Sequence, residues 1–157
     1  KDLKTGSGTR TTGAAISKVM SPGRDIPKFL DITEQLGRDP LNTPVSCPIP
    51  SVGGWGGAMG PAQFIPSTWA LYQNELHDIT GRPVDPWNIN DAFLATGVYL
   101  KDLGGTQNEF RAVMQYFSGA TWTKYEEFYG RSVLSIATGY ETDIKTLSQQ
   151  VALGEKR

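Results

Sequence analysis

Gly57-Ala58-Met59-Gly60-Pro61-Ala62-Gln63-Phe64-Ile65-Pro66-Ser67-Thr68-Trp69 is the stretch on which the reading of this chain turns. It continues a glycine run, Gly53-Gly54-Trp55-Gly56, and leads into a helix predicted from Pro66 to about Leu76. Proline suits a first helical turn, where its missing N–H is one that would go unbonded anyway. The run is no nucleotide loop: its glycines do not fit G-x-G-x-x-G, and no G-x-x-x-x-G-K-[ST] occurs in the chain. Glycines at 53, 54, 56, 57 and 60 instead allow close backbone approach or positive φ. Gln63 is a lone amide among Met59, Phe64 and Ile65, with the hydroxyls of Ser67 and Thr68 beyond it. Two readings stay open on these residues: one wall of a cleft for a polar, ring-shaped ligand, or a tight turn whose Gln63 bonds backbone.

Outward from this stretch the pattern is helical. Upstream, Ala14–Met20 reads as a short helix stopped by Ser21-Pro22-Gly23. Ile26 to Leu36 reads as a clearer one, with Asp25 as N-cap, Pro27 in the first turn, an apolar set of Ile26, Phe29, Leu30 and Ile32, and Gly37 as C-cap. Lys1–Arg10 is polar and reads as loop, and the prolines at 40, 44, 48 and 50 make Arg38–Pro50 an extended loop. Downstream, Asn88 or Asn90 caps a helix to Leu103. Another covers about Asn108–Ser118, with Phe110, Val113, Met114 and Phe117 at i, i+3, i+4 and i+7. Two more are predicted, from Trp122 to about Ile136 and from Glu141 to Ala152. Strand alternation is nowhere sustained. The class is mainly α, in one domain over 1–157 with long Gly/Pro-rich loops.

Composition narrows the functions. The chain has 157 residues, 38% of them hydrophobic, enough for a core that needs neither disulfide nor metal. Its 18 glycines and 10 prolines exceed average usage without any collagen-like period. Fifteen basic and sixteen acidic residues leave a net charge of −1, which argues against a nucleic-acid partner. Cys47 is the single cysteine and His77 the single histidine, so zinc is excluded and no metal site is expected. His77 lies in the polar run 74–78 and reads as a solvated helix-end residue. No segment is long and apolar enough to span a membrane, and no signal-peptide pattern occurs. The first residue is Lys1 rather than Met, as expected of a chain whose leader has been removed or of a piece of a longer one.

Residues 57–69 closely resemble the second motif of the lytic murein transglycosylases, lysozyme-like enzymes that cleave the glycan strands of peptidoglycan. Two further segments agree in order and spacing. Asn88-Ile89-Asn90-Asp91-Ala92 through Tyr99-Leu100-Lys101-Asp102-Leu103 is similar to the family helix that starts at Asn-Ile and ends in Tyr-Leu. Ala112-Val113-Met114-Gln115-Tyr116-Phe117-Ser118-Gly119 is similar to the third motif, A-x-x-x-Y-N-x-G. The resemblance covers roughly Asp25 to Tyr129. It implies a lysozyme-like, mostly helical fold and a peptidoglycan partner, with no cofactor. Met59 and Gln63 would line the sugar cleft, with Phe64, Ser67 and Gly119 among the substrate-binding positions, and Tyr116 would stand beside the catalytic acid. Phe117 departs from the pattern by replacing asparagine, and as a continuation of the Phe110 stripe it reads as core. Tyr99 and Trp69 also read as core. Trp55 reads equally as a sugar-stacking platform or as a buried ring.

The family's acid is a glutamate followed by serine on a buried helix N-terminal to these motifs. It protonates the glycosidic oxygen and then serves as base while the muramic C6 hydroxyl attacks C1, giving an anhydro end, unlike two-carboxylate glycosidases. Such a carboxyl needs an apolar pocket to stay protonated near neutral pH. No glutamate here fits. Glu34, Glu75 and Glu109 lie among polar neighbours, Glu126-Glu127 read as a solvated face, Glu141 as a helix-start carboxylate, and Glu155 lies in the tail. None is followed by serine. The acid is therefore expected upstream of Lys1, leaving this polypeptide with most of the cleft and no acid of its own. The alternatives are a non-catalytic, glycan-binding module of the same fold and a goose-type lysozyme that uses water. The substrate implies a periplasmic or extracellular site in the bacterial cell envelope.

Overall fold

A computed structural model describes residues 9–11, 16–48, 54–119 and 129–154. Its chain falls into two compact units, Lys1–Val98 and Tyr99–Arg157. Among the described residues the order is β1 (Thr9–Thr11), α1 (Ile16–Val19), α2 (Ile26–Gln35), β2 (Pro44–Ser46), α3 (Pro66–Thr80), α4 (Ile89–Asp102), α5 (Glu109–Ser118) and α6 (Arg131–Gly154). Among the described residues the fold is mainly helical, with Gly/Pro-rich loops between helices.

The first unit is built on α2 packed against α3. Phe29 and Ile32 of α2 and Trp69 and Leu76 of α3 are buried, with Val19, Met20, Val45, Met59 and Phe64 completing that core. Gln73 of α3 donates to Gln35 of α2 at the rim. Asp25, predicted as the cap of α2, makes no side-chain bond to its own helix. It caps α3 instead: Oδ1 accepts the Ser67 N–H at 3.2 Å, while Oδ2 takes Arg24 at 2.7 and 2.9 Å. Ile65, at the start of α3, has no side-chain acceptor of its own, so a buried carboxylate from the chain before α2 meets the orphan donor.

Two expected loops are strands in part. Thr9, Arg10 and Thr11 pair antiparallel with Ser46, Val45 and Pro44. Pro44 begins its strand, where a missing ladder donor is tolerated. Three residues are too few for alternation to show in sequence. The glycine loop adds to this edge: Ser46 N–H donates to Ala58 O and Gly57 N–H to Ser46 O, both at 2.9 Å, and the Ser46 hydroxyl accepts the Ala58 N–H at 3.0 Å.

Asn88 is the residue that starts α4, its Oδ1 accepting the N–H of Asn90 at 2.9 Å and of Asp91 at 3.3 Å. In the second unit Asn108 caps α5 by accepting the Arg111 N–H at 2.9 Å, and α5 packs on α6. The two helices predicted after residue 121 are corrected. Residues 131–154 form a single helix, and the predicted start at Trp122 lies outside the described residues. Gly139 does not break it, since one glycine in a helix interior costs only about 1 kcal/mol.

Candidate functional site

The glycine loop is shaped by its own chain. A Cβ on Gly56 would collide with the Ser46 carbonyl oxygen, and one on Gly57 (φ +89°) would lie 2.6 Å from the Met20 Cβ. Gly60 (φ +59°) sits so tightly over Pro86 that a Cβ would overlap its carbonyl oxygen. Close approach and positive φ both occur here, and what is approached is Ser46 of β2, Met20 just after α1, and the segment before α4.

Beyond Gly60 the chain turns tightly. Met59 N–H donates to Phe64 O at 2.8 Å, and Gln63 N–H to Gly60 O at 3.3 Å. Gln63 is the one non-glycine residue among those described with positive φ, at 58°. A side chain held in that region costs of order 1 kcal/mol or more and persists only where its surroundings demand it. Its Nε2 donates to the same Gly60 carbonyl at 2.6 Å, and the residue is exposed. The amide thus bonds backbone, as the turn reading of Gln63 has it, on a residue that is exposed.

The other predicted residues of this unit differ in access. Trp55 is 51% exposed, so its ring is an open surface rather than a buried one. Met59 is wholly buried and Phe64 nearly so, the latter edge-on to Trp69 at 5.7 Å between ring centroids. Ser67 is half-buried, with its N–H on Asp25. Trp69 is fully buried, and its Nε1 has no hydrogen-bond partner among the described residues.

In the second unit Tyr116 is half-buried on α5, its ring 5.3 Å from that of Tyr99, whose hydroxyl burial pushes up in pKa. Gly119 ends α5 with positive φ and is exposed. Phe117 is a correction to the core reading. It is 46% exposed and stacks on Tyr129, centroids 4.1 Å apart and planes 18° apart. It lies in the last turn of α5, past the layer that Ala112 and Met114 bury, and Tyr129 covers it instead.

The described glutamates, Glu34, Glu75, Glu109 and Glu141, are all exposed. Lys145, 2.7 Å away, holds the Glu141 carboxyl below its ordinary range by hydrogen bond and charge. None of the four lies in the apolar pocket that the chemistry needs. Glu126, Glu127 and Glu155 lie outside the described residues. Among the described residues no three His, Cys, Asp or Glu side chains gather as a metal site, and no helix is long and apolar enough to cross a membrane.

One polar cluster was not anticipated. Asp91, 2% exposed at the start of α4, accepts two bonds from Arg82, at 2.6 and 2.9 Å, and one from the Asp85 N–H at 2.9 Å. The Arg82 bond and charge hold its carboxyl below the ordinary range against the opposing effect of burial. Asp85 in turn pairs with Arg38 at 2.6 Å, and that guanidinium lies 4.7 Å over the Trp87 ring. Trp87 Nε1 donates to Pro44 O at 2.8 Å. The cluster fixes the 82–91 segment whose Pro86 forms the floor under Gly60. Its members are irregularly spaced across a proline-containing loop, so neither helical nor strand period could reveal them.

Comparison with known proteins returns one family. The Transglycosylase SLT domain profile matches residues 28–143, which takes in most of α2, the glycine loop, α3, α4, α5 and the first part of α6. No curated protein and no solved structure matches the chain. The matched span includes all three segments whose resemblance pointed to the enzymes of peptidoglycan cleavage, and well over half of the sequence. The chain belongs to the transglycosylase SLT domain family, whose substrate is peptidoglycan.

Proposed function

We propose that this domain cleaves the MurNAc–GlcNAc bond of peptidoglycan by intramolecular transfer, leaving 1,6-anhydro ends. One glutamate on a segment preceding Lys1 acts first as acid and then as base. The observation that carries the second part is the exposure of Glu34, Glu75, Glu109 and Glu141, none of which has the apolar surroundings that keep a carboxyl protonated near neutral pH. The residues supporting the first part are the family motif and its geometry. The backbone at 57–60 is pinned to β2 and to Pro86, Gln63 is held exposed in a strained turn, and Trp55 is an open aromatic face. An exposed aromatic ring and a fixed amide in the same glycine-rich stretch suit a pyranose, which offers an apolar face for stacking and hydroxyls for hydrogen bonds.

Tyr116 and Gly119 are assigned the third-motif roles, Tyr116 beside the acid and Gly119 against the glycan. Phe117 takes the place of the usual asparagine and removes one donor and one acceptor from that position. The site of action is the cell envelope, periplasmic or extracellular, where the substrate lies. The test is clearing of a purified peptidoglycan suspension by two polypeptides, the 157-residue chain and the same chain with its natural upstream residues. Clearing by the extended polypeptide alone is expected. Equal clearing by both would place the acid within residues 1–157 and overturn the upstream assignment. Clearing by neither would favour a glycan-binding module.

A further inference from the structure

The helix α6 carries more apolar surface than its own unit covers. Ile136, Tyr140, Ile144, Leu147 and Val151 are 58%, 67%, 63%, 59% and 61% exposed. Val133, Ala137, Tyr140, Ile144, Leu147 and Val151 follow one another at spacings of four, three, four, three and four residues. That is a heptad register, with Ala137, Ile144 and Val151 at a and Val133, Tyr140 and Leu147 at d. A strict 3.5-residue period is the seam of a coiled coil, narrower than the stripe a helix lays on a globular core.

The rest of the helix agrees with that seam. Thr138, Thr142 and Thr146 fall at b, f and c, away from a and d, and each hydroxyl is satisfied by the carbonyl four residues back, at 2.9 Å. Glu141 and Lys145, at e and b, pair with each other at 2.7 Å. Packing on α5 is confined to the start of the helix, where Val133 and Leu134 are half-buried and Gly130 lies against Met114 and Phe110. The family match ends at residue 143, so Ile144, Leu147 and Val151 continue the stripe past the shared domain.

We infer that α6 is a self-association element and that a second copy of this chain covers its seam, as a parallel two-stranded coiled coil. The occupant follows from the residues. Ile144 and Val151 are β-branched at a and Leu147 lies at d, the combination that selects two parallel strands over three or four. In that arrangement each g side chain faces the following e side chain of the partner. Asp143 then faces Ser148, so no like charges meet. The four large exposed side chains of the seam, Tyr140, Ile144, Leu147 and Val151, offer on the order of 100 Å² each, so two facing seams remove about 800 Å² from water, the size of a weak, transient interface. This predicts a reversible dimer, and one that brings two glycan-binding domains onto neighbouring strands of the same polymer.

The test is the mass of the 157-residue chain in solution by sedimentation equilibrium across a concentration series. A monomer–dimer equilibrium is expected. Ile144→Glu, which puts a charge in the seam at a site exposed in the monomer, should weaken the dimer by on the order of a hundredfold while leaving the helical circular dichroism of the monomer intact. Gln149→Glu, at f, should leave the association unchanged. Orientation is read from Leu147→Cys in a Cys47→Ser background, where a parallel pair sets residue 147 against its own counterpart and oxidises to a covalent dimer. A monomer at every concentration, a trimer, or an association that Ile144→Glu does not weaken would each overturn the proposal. A dimer without the cross-link would overturn the parallel arrangement.

Discussion

Gly60 and Gly81 have nearly the same backbone, φ +59° and +68°, yet they hold different weight. A Cβ at Gly81 meets nothing within 4 Å, so Gly81→Ala carries only the left-handed strain, of about 1 kcal/mol. At Gly60 the added carbon also overlaps the Pro86 carbonyl, which is backbone and cannot rotate away. Gly60→Ala is expected to cost more than about 3 kcal/mol or to prevent folding, and urea denaturation of the two variants compares them. Asp25→Ala should cost about 1–3 kcal/mol by leaving the Ser67 N–H without its acceptor and the site with a void, measurable in the same way. Asp91 gives a pH signature. Its carboxyl is held below the ordinary range by Arg82, so the stability it contributes is present above the unfolded value of about 4 and is lost as pH falls through the folded value. Asp91→Asn is expected to be less stable than the parent at neutral pH. The gap between their urea midpoints should narrow as the pH is taken below about 4. Residues of this kind were the least legible. Asp25 looked like the cap of the helix it precedes, because a sequence shows which residue can cap and not which helix end lies nearest in space.

At the level of elements the sequence was more informative. Helices α2 and α5 follow their apolar spacing to within a residue, and Asn88 does start α4, because caps and 3.6-residue periods are local features. Asn108→Ala should therefore weaken α5 by about 1 kcal/mol, visible as a lower thermal midpoint, since the Arg111 N–H loses its acceptor. The errors have physical sources. The β1–β2 pair depends on contacts between distant parts of the chain, such as Thr9 with Ser46, and on strands too short to show alternation. The sequence reading ends one helix near Ile136 and starts the next at Glu141, whereas the helix runs unbroken through Gly139, where continuous hydrogen bonding outweighs one unfavourable residue. Phe117 fits its stripe by spacing, and only the length of the buried layer puts it outside.

For the molecule as a whole, part of the glycine excess, at Gly56, Gly57 and Gly60, serves two tight passages of backbone, over Ser46 and Met20 and over Pro86, that set the shape of the 57–69 stretch. That stretch stands out as a candidate site because so many constrained residues occur together, while the acid of the proposed mechanism is legible only as a gap in the glutamates. The family match at 28–143 fixes peptidoglycan as the substrate, and the chemistry of cleavage is the central claim. Mass spectrometry of the muropeptides released by the polypeptide extended upstream of Lys1 tests it most directly. Intramolecular attack by the C6 hydroxyl predicts 1,6-anhydro ends, lighter than the hydrolysed products by one water. Reducing MurNAc ends would contradict it and identify water as the nucleophile.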